Sequence, residues 1–238
     1  MLEIKNFTKI YKGGKKAVDN FNLTVTAGDI YGFIGHNGAG KSTMIKAIAG
    51  VLDFEEGDIF VDGYSVQKSP VECKKVIAYI PDNPDLYEHL TGIQYLNFIS
   101  DIFKVGKDER EEQIRKYGEL FEITSVLGDL ISSYSHGMKQ KLALISALIH
   151  KPKLILLDEP FVGLDPKASL ILKTTMHQIC EQGSAIFFST HVLDVAEKLC
   201  NKIAIIKDGK LIEAGVTETL IKNQSLESLY MKVAENEK

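Results

Sequence analysis

The sequence predicts an α/β fold: a mainly parallel sheet with helices on both faces, an antiparallel β region at the N-terminal end, and an inserted helical block. Three observations lead there. From Leu2 to Phe33 apolar and polar residues alternate, as at Phe21, Leu23 and Val25, with turn signals at Gly13-Gly14 and Gly28-Asp29; a period of two marks strands with one buried face. Short apolar runs at Ile30 to Ile34, Val76 to Ile80, Leu154 to Leu157 and Ala185 to Phe188 are then separated by segments of helical period, and such alternation builds a parallel sheet covered on both sides. Between Thr91 and His150 helical patterns fill the chain, so this stretch reads as an insertion.

Each element has its own local warrant. Ile30 to Ile34 runs into a glycine-rich loop and a helix over Lys41 to Ala49. A hairpin spans Gly57 to Val66 and turns at Asp62-Gly63, a pair suited to tight turns. Pro81-Asp82-Asn83-Pro84 breaks regular structure before the helical block. Pro166 to Gln182 and Val192 to Leu199 read as helices. The expected organisation is one domain over 1–238, with a core formed by 1–81 and 152–238 and a helical unit over 82–151. The charged tail from Ala234 to Lys238 is expected to fray.

Composition narrows the function. The 238 residues are 45% apolar and 25% charged, which suffices for a sizeable core. Net charge is -4 with both signs interspersed, so no basic face for a nucleic-acid backbone is present and nucleic acid is not an expected partner. Cys73, Cys180 and Cys200 are odd in number and far apart, without zinc or disulfide spacing; they read as reduced thiols of a cytoplasmic protein. The opening Met1-Leu2-Glu3-Ile4-Lys5 reads as a strand and not as a signal peptide. The longest apolar run, Leu142 to Ile149 with Ser146 inside it, is far short of the roughly 20 residues a bilayer span needs. If a membrane is involved, another polypeptide crosses it.

Gly35-His36-Asn37-Gly38-Ala39-Gly40-Lys41-Ser42 matches G-x-x-x-x-G-K-[ST] between a predicted strand and a predicted helix, the context of a P-loop NTPase core. Glycines let backbone N–H groups wrap phosphates closely. Lys41 then reaches the outer phosphates, the Ser42 hydroxyl holds Mg2+, and the helix N-terminus favours the anion. Asn37, Gly38, Ala39, Gly40 and Thr43 complete the expected ATP-binding loop. Upstream, Tyr11 is either half-buried packing at a strand end or a platform for adenine.

Two acids, Asp158 and Glu159, end the apolar strand Leu154 to Leu157, the sheet edge where ligands bind in α/β folds. They read either as solvated turn residues or as partners of the phosphate loop: Asp158 toward Mg2+, Glu159 toward the attacking water. His191 follows the strand Ala185 to Phe188 on the same edge, and is either structural or a hydrogen-bond donor to the terminal phosphate.

Tyr134-Ser135-His136-Gly137-Met138-Lys139-Gln140, before a long apolar helix, resembles the signature motif of ABC ATPases. Ser135 suits an N-cap whose following amides are free donors. The resemblance to ABC ATP-binding subunits extends along nearly the whole chain. It implies an aromatic loop at Tyr11, a Walker A loop from Gly35 to Ser42, a Walker B acid at Asp158 and a catalytic Glu159. A D-loop at Gly163-Leu164-Asp165-Pro166 and a switch histidine at His191 complete the order. It further implies that Ser135 and Gly137 bind the ATP of a second protomer, and that the chain sits on the cytoplasmic face of the cell membrane, driving an integral-membrane transporter subunit. The wording Ser-His-Gly-Met-Lys-Gln is similar to single-domain subunits of ABC-2-like exporters and to the Ecs-type group. A non-transport ABC ATPase acting on DNA or ribosomes is the alternative, but the long coiled-coil insertions or paired cassettes of such proteins are not seen in this sequence. A small nucleotide kinase would not need the later motifs.

Two departures from the family pattern stand out. Asp82 takes the place of a glutamine that touches the metal and the attacking water; it reads either as a Mg2+ ligand that adds negative charge near the terminal phosphate and tunes hydrolysis, or mainly as a hinge to the helical block. His136 and Met138 replace a glycine and a glutamine, altering the expected backbone approach to nucleotide. Leu86, Tyr87 and Leu90 either pack within the domain or form an apolar surface for a short helix of the membrane partner.

Overall fold

The structure, a computed structural model, describes residues 1–222 and 224–235. Strands β1 (Leu2–Ile10), β2 (Lys16–Val25), β4 (Glu56–Val61) and β5 (Tyr64–Ser65) form an antiparallel sheet in the order β2-β1-β4-β5. The predicted hairpin turn at Asp62-Gly63 joins β4 to β5, with both residues at positive φ.

The second sheet has the order β10-β9-β3-β8-β7-β6, built from β3 (Ile30–Ile34), β6 (Ile77–Ile80), β7 (Leu154–Asp158), β8 (Ala185–Thr190), β9 (Lys202–Lys207) and β10 (Lys210–Val216). All neighbours are parallel except the β9–β10 hairpin. In the centre, Ile34 pairs with Thr190, and Asp158 with Ser189. The α/β class with a mainly parallel sheet is therefore as the sequence predicts.

Successive strand residues point to opposite faces, and two apolar cores result. Phe33, Leu156 and Phe187 face α1 (Lys41–Ile48) and the antiparallel sheet, where Phe33 packs edge-on against Phe21 with ring centres 5.5 Å apart. Ile34, Leu157 and Phe188 face the other way, toward α3 (Gly92–Ile102), α4 (Lys107–Leu120), α5 (His136–Leu148), α6 (Pro166–Glu181) and α7 (Leu193–Leu199). Both faces are covered, which explains why the strands read as continuous apolar runs.

Helix starts follow their capping residues. Thr91 and Gln94 form a reciprocal capping box at α3. Asp165 caps α6 with Pro166 in the first turn. Ser135 caps α5 as predicted, its hydroxyl accepting from Met138 N at 3.3 Å.

Several elements lie outside the sequence prediction. Helix α2 (Pro70–Val76) precedes β6, so the strand starts at Ile77 and not at Val76. The β9–β10 hairpin and helices α8 (Thr217–Ile221) and α9 (Leu226–Glu235) close the chain. The tail expected to fray begins inside α9 at Ala234 and Glu235, which are helical, while 236–238 lie outside the described residues. All three cysteines are buried and unpaired.

Candidate functional site

The strand order sets the site. β3, β8 and β7 are adjacent, and their C-terminal ends deliver the phosphate loop, His191 and the acid pair to one edge of the sheet. A cavity of about 440 Å³ opens there, a size suited to a small ligand. Of the predicted residues, Tyr11, Asn37, Gly38, Gly40, Lys41, Ser42, Thr43, Asp82, Asp158 and Glu159 all line it. Gly35 and Ala39 lie within the same loop without lining the cavity, and Ala39 is wholly buried.

The loop is folded as its glycines require. Gly40 caps α1 at φ +111, and a Cβ there would lie 2.4 Å from the Ala17 carbonyl oxygen. A Cβ on Gly35 would lie 2.5 Å from the Ile206 carbonyl oxygen. The β9–β10 turn braces the loop from outside, where Gly209 N donates to the Ala39 carbonyl at 3.0 Å. Only residues without a side chain let the backbone pack this closely.

Lys41 Nζ folds back onto its own loop, donating to the carbonyls of Gly35 at 2.6 Å and His36 at 3.3 Å. It also stands 3.7 Å from Glu159 Oε1. Burial pushes the Lys41 pKa below the usual lysine value, while Glu159 and Asp158 pull it the other way.

The acids are held by Ser189, a residue sequence reasoning did not single out. Its hydroxyl donates to Asp158 Oδ1, and accepts from Glu159 N at 3.0 Å. Glu159 sits at φ +49, uncommon for a residue with a side chain. One of its oxygens, Oε2, lies 3.0 Å from His191 Nδ1. The other, Oε1, is buried without a hydrogen-bond partner, an acceptor waiting for a donor.

Asp82 is at the rim, exposed, with Oδ1 accepting from Asn83 N at 2.9 Å. Near Asp82 and Asp158, the Tyr79 hydroxyl is buried without a partner, and burial with these charges pushes its pKa up to about 12. It remains a neutral phenol, and no spacing in the sequence marks it. Tyr11 is half exposed and its hydroxyl meets Thr43 Oγ1 at 3.2 Å. Lys15, Ala17 and His36 also line the cavity, brought in by the β1–β2 turn and by a variable position of the loop.

Ser135 and Gly137 do not line this cavity; they lie at the start of α5. His136 does not obstruct that helix end. Its ring is turned onto Gly163 of the same chain, where an added Cβ would lie 2.5 Å from His136 Cδ2.

The arrangement fits a nucleoside triphosphate. Close backbone packing forms an anion cradle, Lys41 supplies an exchangeable cation, and Ser42, Asp158 and Asp82 supply oxygen ligands of the kind Mg2+ prefers. Among the described residues no helix is long and apolar enough to cross a membrane.

Comparison with known proteins agrees with this chemistry. A family model described as ABC transporter matches residues 18–162. The uncharacterized ABC transporter ATP-binding protein YhcH of Bacillus subtilis is 36% identical over 214 residues, 90% of this chain and 69% of the relative. The ABC-type transporter ATP-binding protein EcsA of the same organism is 31% identical over 242 residues, covering 100% of this chain and 98% of the relative. The choline transport ATP-binding protein OpuBA, also of B. subtilis, is 34% identical over 235 residues, 94% of this chain and 59% of the relative. A solved ATP binding subunit of an ABC transporter superposes with TM-score 0.95 at 31% identity, covering 99% of this chain and 100% of that one. The ATP-binding cassette MJ0796, solved as a dimer in a post-hydrolysis state with ADP and Pi, gives TM-score 0.80 at 26% identity over 91% and 99% of the two chains. With a family model matched across the phosphate loop and the acid pair, and relatives aligned along its length, this chain belongs to the ABC transporter family, among its ATP-binding proteins.

Proposed function

We propose that this chain binds and hydrolyses ATP to drive a separate membrane-embedded transport subunit. The observation that carries the reading is the convergence of Lys41, Ser42, Asp158 and Glu159 on one cavity, with Glu159 Oε1 buried beside Lys41 and holding no hydrogen bond. Tyr11 stacks adenine. Backbone amides from Asn37 to Thr43 hold the phosphates, and Lys41 exchanges its loop carbonyls for the outer phosphate oxygens. Ser42, Asp158 and Asp82 would hold Mg2+, which when bound offsets phosphate charge. Glu159 orients the attacking water and takes its proton, while His191 steadies the carboxylate and reaches the terminal phosphate.

Ser135 and Gly137 serve the nucleotide of a second protomer, identical or different. Their place outside their own chain's cavity supports this, as does the dimer formed by the similar MJ0796. In this reading residues 82–151 form the helical unit, and 1–81 with 152–238 the ATP-binding core. The chain works at the cytoplasmic face of the membrane. Export is the direction we favour, on the likeness of Ser-His-Gly-Met-Lys-Gln to exporter subunits. The cargo in this reading is selected by the membrane partner, and the range of names among the relatives, a choline transport protein included, accords with that.

Of the two readings of Leu86, Tyr87 and Leu90, packing within the domain holds for two of the three. Leu86 is buried and Leu90 packs on the core, so only Tyr87 remains exposed, at 50%. It packs edge-on against Phe98, which lies one turn from Ile102 on α3. From Ile102 the surface continues into a groove of about 780 Å³ with Val71, Lys74 and Lys104 on its walls. We place the short helix of the membrane subunit on this strip.

Purified protein should release phosphate from ATP, and Lys41→Ala should abolish that release. Near-normal turnover in the variant overturns the site. Co-purification of a multi-span protein from membranes should be lost in Tyr87→Glu and Ile102→Glu while ATP binding survives. Co-purification with ribosomes or DNA instead supports the non-transport alternative.

A further inference from the structure

Where the signature pattern has glycine, this chain has His136, and its ring lies in the hollow of Gly163. A Cβ built on Gly163 would stand 2.5 Å from His136 Cδ2 and 2.8 Å from Nε2. Gly163 is at φ +80, and its carbonyl oxygen comes within 3.2 Å of a Cβ built on Gly137. The same helix makes two more ties to the segment after Glu159. Gln140 Nε2 donates to the Pro160 carbonyl at 3.2 Å, and Lys141 Nζ pairs with Asp165 Oδ2 at 3.4 Å.

We propose that His136 is a positioning residue that couples the first turn of α5 to Glu159 of the same chain. The segment it grips starts at Glu159, whose carbonyl accepts from Val162 N at 3.2 Å, so the loop turns tightly on the glutamate. A glycine at 136 has no side chain to fill the hollow, and α5 would hold the loop only through the more distant Gln140 and Lys141. With the imidazole in place, a shift of the α5 end pushes directly on Gly163. Gln140 Oε1 is buried without a partner in this arrangement, so the contact has an acceptor still to satisfy when the helix end moves. The histidine is thus turned inward, and acts on hydrolysis through the loop and not through the nucleotide.

This inference rests on the reading of Glu159 as the residue that activates water, and its test separates the two. Steady-state ATPase kinetics are measured for wild type, His136→Gly, His136→Phe, Gly163→Ala and the His136→Gly/Gly163→Ala double variant. An ångström of misplacement can cost on the order of 10²-fold, so His136→Gly, which loosens the loop by less, should lower kcat by about tenfold with KM for ATP unchanged and the unfolding midpoint lowered only as far as a glycine in a first helical turn requires. His136→Phe keeps a ring edge in the hollow and should restore most of the loss. Gly163→Ala should cost more in the presence of His136 than in its absence, because the clash is with the ring. Wild-type kcat in His136→Gly, or a raised KM at constant kcat, overturns the proposal. If the wild type shows no turnover, the ATPase reading fails. The contact is then judged by non-additivity of the two substitutions in thermal unfolding, and additivity overturns it.

Discussion

His191 and Glu159 meet through Nδ1 and Oε2 at 3.0 Å, and the second carboxylate oxygen is buried without a hydrogen bond, paired with Lys41 Nζ at 3.7 Å. One oxygen is thereby fixed in direction, and the other is the one the proposed function gives the proton of the attacking water. Glu159→Gln keeps the shape of the group but removes its basicity, so turnover should fall by 10²-fold or more, within the range of general-base catalysis at roughly 10²–10⁴. ATP binding should persist, and a nucleotide-bound dimer should accumulate in size-exclusion chromatography. A monomer that still hydrolyses ATP contradicts the assignment.

Lys41 and Ser135 test whether one ATP is enclosed by two chains. Lys41→Ala and Ser135→Arg should each be inactive alone. Mixed dimers carry one site with both motifs intact and one with both lesions, so phosphate release should partly recover on mixing. No recovery in verified mixed dimers argues against a shared site or requires both sites to fire together.

Two glycines of the phosphate loop should differ in their tolerance of alanine. Gly40 and Gly38 both have positive φ, but a Cβ on Gly40 meets the Ala17 carbonyl at 2.4 Å whereas Gly38 has nothing within 4 Å. Backbone strain alone costs about 1–3 kcal/mol. Gly38→Ala should show that cost, and Gly40→Ala a larger one with loss of ATP binding. Equal unfolding free energies for the two variants would exclude the steric account.

His150 should make stability depend on mildly acidic pH. Its ring stacks on Phe103 at 3.7 Å, Nε2–H donates to the Ile77 carbonyl at 3.3 Å, and Nδ1 is buried without a partner. Burial pushes its pKa down from 6.5 to about 4. The unfolded chain therefore takes up the proton first, so this contribution is full above pH 6.5 and is lost as pH falls toward 4. The loss is up to about 3 kcal/mol. Urea titrations at several pH values should show a steeper decline for wild type than for His150→Phe, and parallel curves would refute the assignment.

Much of the site was legible because its chemistry is local in sequence. The phosphate loop has glycines where positive φ and close packing occur, and the acids and His191 follow short apolar runs of the length buried strands have. Helix α2 was not legible, since in seven residues only Cys73 is buried and no period can emerge. The β9–β10 hairpin did leave a signal, Asp208-Gly209 between two runs, both residues having positive φ. Ser189 and Tyr79 were hidden for a different reason. Their roles come from neighbours across strands, Ser189 opposite Asp158 in the register and Tyr79 close to Asp158 and Asp82. The inward turn of His136 likewise depends on a contact with Gly163 that sequence separation conceals.

The pairing of Ile34 with Thr190 and of Asp158 with Ser189 ties the chemistry to the alternation of Phe187 and Phe188 between two cores. A slip of β8 by one residue would move His191 by about 3.3 Å and send each phenylalanine to the wrong side. The large penalty for misplacing two aromatic rings thus acts as a proofreader: a chain whose proposed catalytic groups are out of step is one that cannot close its interior. Insertions and deletions in this strand should then be rejected at folding, before any defective ATP-consuming species can accumulate.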